Sequence, residues 1–562
     1  MTNPKLTALA AAGASRLHIA SRCEPAPQPS VVASPREGAQ PAWERPGAGC
    51  GPDFADWVAA SAARTPDKPA LVCGDATLSY AALAARIDAI AAALAATGIV
   101  RGSCVAWLGL ASPDLIATLF ACARLGAMFM PLNWRLAPPE HRAMLRQCPP
   151  ALFVAEQVFA EASAAAGVAA PGTRCVAIGN APALWADWDA LLAQAHVPAP
   201  VTPADPADPV TALLLCFTSG STGQPKGVLL SARALEANAD ASVDMHAMTA
   251  DDRVLTTLPL FHVGGLNIQT TPALRCGCTV TLHPRFDADA VFDAIARERI
   301  TLTVLVPAQL EAMIAHPRWA TADFTSLRAI STGSTVVPQH LIAAVHARGV
   351  PLIQVWGATE TAPIAACLHA DEALAHAGST GRAALGCELR IVDGEGRDVA
   401  AGGHGEVWVR GRNLMLGYWG DAAASATALA GGWYRSGDSG HLDADGYLTI
   451  DGRLKDMIIS GGENVSPAEI EAVLTQCPDI AEAAVVGRPD ARWGEAVVAV
   501  VAPQPGATLS AERVLALFEG RLARFKHPKA VLFVDALPRT ALGKLRRDEV
   551  RQLAAARQEQ VA

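Results

Sequence analysis

The sequence predicts an α/β fold that gives way to a β-rich stretch and then to a small α+β domain at the C-terminal end. Three observations carry this expectation. Apolar strand-like runs alternate with helical periodicity as far as about residue 360; short strands broken by Gly and Asp turns follow Gly378; helices and strands alternate again past Lys455. A chain of 562 residues also exceeds one core and allows about three or four domain-sized units.

Patterned sequence begins near Asp53, with helical spacing over residues 53–63 and a long amphipathic helix at 78–98 behind a short strand. Residues 104–110 form a compact apolar run, a buried-strand signal. Residues 112–132 open a helix with a Ser-Pro-Asp cap, close it at Gly126 and lead into another strand. The rhythm recurs as helix 289–299 with strand 303–306, and as helix 338–348 with strand 352–355, which implies parallel packing. LRIVDGEGRDV (389–399) and GEVWVRG (405–411) supply the β-rich region. Beyond a boundary at 452–456 come a helix at 467–474, strands at 481–487 and 496–502, a helix at 511–522 and a strand at 529–533.

Hydrophobic residues make up 51% and charged ones 18%, a globular balance, and the net charge of −9 gives no general pull on nucleic acid. The most helix-like apolar run, 83–100, is interrupted by Arg86 and Asp88, so no membrane span is expected. The 13 cysteines are scattered, with Cys276 and Cys278 the one close pair, as suits reduced thiols in a cytoplasmic protein. Residues 1–50 carry Lys5, Arg16 and Arg22 ahead of Glu24 but no long apolar stretch; they read as a disordered leader.

The chemistry starts at TSGSTGQPKG (218–227), which follows the apolar strand 212–217. Gly220, Gly223 and Gly227 free the backbone so that amide N–H groups can face phosphate oxygens. Thr218, Ser219, Ser221 and Thr222 add hydroxyls and Lys226 a cation. Gly227 follows the lysine where an ordinary P-loop needs Ser or Thr.

That loop resembles the signature of the adenylate-forming (AMP-binding) superfamily, in its acyl-CoA synthetase and fatty-acid–CoA ligase branch. Five further segments resemble the family's elements in order: LPLFHVGG (258–265), QVWGATET (354–361), WYRSGD (433–438), GRLKDMIISGGENVSPAEIE (452–471) and LPRTALGKLRR (537–547). The resemblance implies a large N-terminal domain (51–452) of two packed α/β subdomains plus the β-rich subdomain, a small mobile α+β domain (453–551) and a tail (552–562). It implies ATP-dependent ligation of a hydrophobic, fatty or aromatic acid: acyl-AMP and pyrophosphate form first, then acyl-CoA and AMP. Transfer of the acyl group to a carrier protein, or an aryl-acid or succinylbenzoate CoA ligase, is the alternative.

Residue by residue, the resemblance makes Lys544 the cation at the α-phosphate, Lys455 the hinge pivot, and Glu360 with Thr222 the Mg2+ ligands. Thr359, Gly333, Ser334 and Gly357 border the nucleotide; Trp356 stacks on adenine; Asp438 takes the ribose hydroxyls and Arg453 a phosphate or ribose contact. Gly461 and Gly462 line the tunnel for the CoA arm, with Trp493, Phe525 and Lys529 near its nucleotide and Lys526 toward its phosphates. His262, Val263, Gly264, Val355 and Ala362 form the acid pocket, which shows no counter-charge and so fits a hydrophobic acid. His527 stands where an Arg is expected, and 332–335 departs from the usual Gly-Gly-Ala-Pro. A homodimer is one option for the assembly.

Overall fold

The computed structural model describes residues 53–194, 211–218, 225–334, 337–454, 457–538 and 545–556. Residues 219–223, Lys455 and Lys544, all expected at the site, lie outside these. The described residues belong to one unit, Gly38–Ala562.

Two large sheets form the body. In the nine-stranded sheet the strands Leu352–Trp356, Ala329–Gly333, Leu302–Val304, Arg253–Thr256, Thr279–Leu282 and Pro69–Cys73 run parallel in that spatial order. In the eight-stranded sheet Ala212–Thr218 runs parallel to Met128–Pro131, beyond which lie Cys104–Leu108 and Leu152–Glu156. Both faces of these strands are buried, which is why they read as continuous apolar runs instead of alternating ones. Alternation appears in the partners: Val105 and Trp107 face a central core, while Cys104, Ala106 and Leu108 face an outer one.

The central core is shared. Helices Tyr80–Ala96, Pro113–Leu125 and Ala232–His246 lie between the sheets and bury Leu83, Phe120 and Leu235 against inward residues of both, such as Val254 and Phe129. Outer helices Ala288–Glu298 and Gln339–His346 cover the far face of the first sheet. The helix signals act as expected: Ser112 caps Pro113–Leu125 through the Leu115 N–H at 3.3 Å, and Gly126 ends it with φ +63°. The expected helix at 78–98 begins two residues later, because Leu78 and Ser79 finish a strand and the Ser79 hydroxyl caps the helix.

The β-rich region is a four-stranded antiparallel sheet, Cys387–Val392, Gly405–Gly411, Tyr434–Leu442 and Leu448–Arg453. These sheets and helices make up the large lobe. A small lobe follows, built on a five-stranded sheet centred on Gly494–Pro503 and flanked by Pro467–Leu474 and Arg547–Ala556. Its helix at Ala511–Ala516 is shorter than the expected 511–522: the chain turns instead, reaching φ +67° at Gly520.

Candidate active site

A cavity of about 1490 Å³ lies between the two lobes. At one end the strands Ala212–Thr218 and Lys226–Ser231 pair antiparallel, with Thr218 opposite Lys226, so the glycine-rich segment joins the two stems of a hairpin. Both stem residues line the cavity. The Lys226 ammonium lies 4.9 Å from the Tyr418 ring centre, and the Tyr418 hydroxyl donates to Glu360 Oε1 at 2.9 Å. Burial and then the Glu360 carboxylate push the Tyr418 hydroxyl far above its ordinary pKa, so it remains a donor.

Glu360 sits on a single turn, Thr359–Thr361, just past strand Leu352–Trp356, and is 9% exposed. The strand-to-turn passage depends on Gly357: a Cβ there would lie 1.8 Å from the Pro363 carbonyl oxygen. Thr359, Gly357, Gly333, Ser334 and Val355 line the cavity as expected. Two neighbours do not. Ala362 is fully buried at φ +71°, and the wall there is Pro363. Trp356 is 8% exposed within the central core, and its Nε1–H donates to Asp438 Oδ2 at 3.0 Å. The tryptophan thus fixes one oxygen of the Asp438 carboxylate, and neither residue borders the large cavity. Asp438 pairs with Arg453 in register across the antiparallel sheet.

The remaining wall mixes apolar side chains with Arg135 and Arg285, so the expected lack of counter-charge does not hold for the cavity as a whole. His262, Val263 and Gly264 border it, followed by a wide-turn helical segment, Leu266–Thr270, that presents Ile268. Val306 and Ala312 face it from the helix Pro307–Ala315 and the residue before it.

The other end is closed by the small lobe. Strands Ile458–Ser460 and Glu463–Val465 form a hairpin whose turn, Gly461–Gly462, lines the cavity at φ +61° and +82°. A Cβ on Gly461 would lie 3.0 Å from the Trp493 ring, and one on Gly462 3.6 Å from Val306. Glu463 then reaches into the large lobe. Its Oε1 accepts from Arg135 Nη1 at 2.5 Å and its Oε2 lies 3.1 Å from His262 Nε2. Burial alone would raise this carboxyl; His262 and Arg135 outweigh it and hold it at about 2. Arg492 and Lys529 flank Trp493 at 4.8 and 5.1 Å from its ring centre; Arg492 and Trp493 line the cavity and Lys529 does not.

The remaining expectations for the CoA patch need correcting. Phe525 packs between the cores of the two lobes, and Lys526 is 4% exposed, bonded to Glu140 and Glu469. His527 bonds the Leu522 carbonyl at 3.0 Å. Neither Phe525 nor Lys526 borders the large cavity. Three site residues escaped the sequence reading. Glu463 stood inside the quoted GGEN segment, where a carboxylate after two glycines was its signal; Tyr418 and Arg135 gave none.

Residues 58–419 match the AMP-binding enzyme family, and residues 469–544 match the AMP-binding enzyme C-terminal domain. The chain is 58% identical over 504 residues to indoleacetate–CoA ligase of Aromatoleum aromaticum, covering 90% of this chain and 98% of that one. The solved amide bond synthetase of Marinactinospora thermotolerans is 32% identical, with a TM-score of 0.82 over 90% of this chain and 100% of that one. The o-succinylbenzoate CoA synthetase of Bacillus subtilis is 30% identical over 90% of this chain in two states. A double mutant bound to the product analogue OSB-NCoA gives a TM-score of 0.79 over 99% of that chain; the complex with the acyl-adenylate OSB-AMP gives 0.64, also over 99%. The chain therefore belongs to the AMP-binding enzyme family, among its acid–CoA ligases, whose substrates are a carboxylic acid, ATP and coenzyme A.

Proposed function

We propose that this ligase activates an aromatic acetic acid of the indoleacetate class and passes it to coenzyme A. The 58% identity to an indoleacetate–CoA ligase supports the choice of acid. So do the apolar side chains of Val263, Ile268 and Val306 on the cavity wall, which suit a ring. The observation that carries the acceptor is the Gly461–Gly462 turn on the cavity wall, so close to Trp493 and Val306 that side chains there would narrow the space assigned to a thiol arm.

In the first step a carboxylate oxygen of the acid bonds the α-phosphorus of ATP and pyrophosphate leaves. Thr218 and Lys226, which line the cavity, are assigned to the phosphates, and the buried Asp438, held by Trp356 just behind the cavity wall, to the ribose. Lys544 is assigned to the α-phosphate and Lys455 to the hinge by their places in the family's motifs. Glu360, with one oxygen fixed by Tyr418, is the carboxylate for Mg2+; Thr222 is its assigned companion. Among the described residues there is no cluster of three metal-binding side chains. The set fits magnesium, which prefers oxygen ligands and completes its shell with substrate phosphates and water. When bound, the ion offsets phosphate charge. In the second step the CoA sulfur, having lost its proton, bonds the acyl carbon and AMP leaves.

The test is a panel of acids with ATP, with and without CoA, reading pyrophosphate, AMP and thioester. Indole- and phenylacetate should give CoA-dependent AMP and thioester. CoA-independent AMP with every acid would point to another acceptor, and preference for long-chain fatty acids would overturn the arylacetate assignment.

A further inference from the structure

Among the described residues Lys526 is a lysine buried between the lobes, 4% exposed, and nothing in the reaction as described uses it. It ends the turn Arg524–Lys526 of the small lobe. Its ammonium lies 2.7 Å from Glu140 Oε1, at the start of the large-lobe helix Pro138–Gln147, and 2.9 Å from Glu469 Oε2, in the first turn of Pro467–Leu474. The side chains are 5%, 10% and 6% exposed. A buried ammonium is costly unless paired and hydrogen-bonded, and here two carboxylates pair it. Burial would depress its pKa, yet Glu469 and Glu140 outweigh that and raise it. Glu140 is itself held in place, its other oxygen accepting from the Ala137 N–H at 2.9 Å.

The three charges are split between lobes. Glu469 travels with Lys526, while Glu140 stays with the large lobe, so any rotation of the small lobe breaks one contact and keeps the other. The arrangement that satisfies all three also puts Gly461–Gly462 in the cavity and Glu463 against Arg135 and His262. The same arrangement is closer to the relative bound to a CoA product analogue than to that relative bound to its acyl-adenylate.

We propose that Lys526 is a positioning residue for the second half-reaction: shared by Glu140 and Glu469, it holds the small lobe in the thioester-forming arrangement. The proposal rests on the CoA-ligase reading above. Lys526 does not line the large cavity; it lines a small cleft of about 70 Å³ beside it that shares Thr218, His262 and Glu463, so its role is argued from the two carboxylates it bridges between the lobes.

The test uses the full chain and scores the half-reactions separately: ATP–pyrophosphate exchange for the first, thioester formation from supplied acyl-adenylate for the second. Lys526→Met should lower the second kcat about tenfold or more, with the KM for CoA little changed and exchange retained. Glu140→Gln keeps an oxygen for the Ala137 cap and should give the same pattern; Lys526→Arg should restore part of the rate. Hydrogen exchange over residues 138–147 and 467–474 should quicken in Lys526→Met without any substrate. Equal losses in both half-reactions, or a raised KM for CoA at unchanged kcat, would overturn the proposal. If the wild type makes no CoA thioester, the CoA reading falls; unchanged hydrogen exchange in Lys526→Met would then overturn the lobe-holding role separately.

Discussion

At the end of the cavity proposed for the nucleotide, Thr218, Lys226, Tyr418 and Glu360 all come from the large lobe, fixed by strand register and by the backbone at Gly357. At the acceptor end Glu463 meets Arg135 and His262, and Lys526 meets Glu140, only because two lobes have come together. The difference teaches that these nucleotide-side groups are built into the large lobe alone, with Lys544 of the small lobe the one assigned addition, whereas the contacts at the other end exist only once both lobes are assembled. Damage at one end should therefore spare the chemistry at the other.

The sharpest test of that separation is Glu360→Gln. It removes the carboxylate proposed for the metal while keeping an oxygen for Tyr418, and should slow ATP–pyrophosphate exchange roughly 10²–10³-fold. Thioester formation from supplied acyl-adenylate should stay near wild type; a matching loss there would mean the two ends are not independent. Gly461→Ala probes the opposite end. Its φ of +61° is unfavourable for alanine and the new Cβ would crowd Trp493, so the thioester step should fall about tenfold while exchange persists.

Glu463→Gln is milder, about fivefold on the thioester step, since hydrogen bonds remain while charge is lost. The Glu463 carboxyl is depressed, so its contribution is complete above about pH 4.5 and is lost only as pH falls toward 2. The variant should lower the pH–rate profile between about pH 5 and 9 without moving its limbs, and a displaced acid limb would contradict the pairing. His246 serves as a control that touches neither end. Buried in the large lobe and bonded to the Ser242 carbonyl at 2.7 Å, it is held neutral by burial, with its pKa lowered to about 4. Its stabilisation is present above pH 6.5 and lost as pH falls toward 4, on the order of 3 kcal/mol. Thermal unfolding at pH 7 and 4.5 should show that slope for the wild type, and His246→Gln should flatten it.

The sequence exposed what local physics controls. Ser112 and Gly126 marked a helix, the apolar run at 104–108 marked a buried strand, and the helix Pro467–Leu474 ran between its expected ends. Site residues carried by backbone shape were likewise legible: Gly357, Gly461 and Gly462 border the cavity. What escaped depends on partners far along the chain. Lys526 looked like part of a basic patch because Phe525, His527 and Lys529 are its neighbours, and Glu140 lies 386 residues away. Trp356 sat in the expected motif, but which way its ring turned was decided by Asp438, 82 residues on. Arg135 gave no signal until the small lobe brought Glu463 to it.

The helices lying between the two large sheets bury residues against both at once, including Val254 of one and Phe129 of the other. Dividing the large lobe between its sheets would strip an apolar face from each piece, so neither fragment would be soluble alone or able to find its complement before aggregating. A workable two-piece enzyme would be cut past Arg453 instead. There each fragment keeps most of its own core, and reassembly would depend on Phe525 packing against both cores and on buried ion pairs such as Lys526–Glu140, which salt screens little.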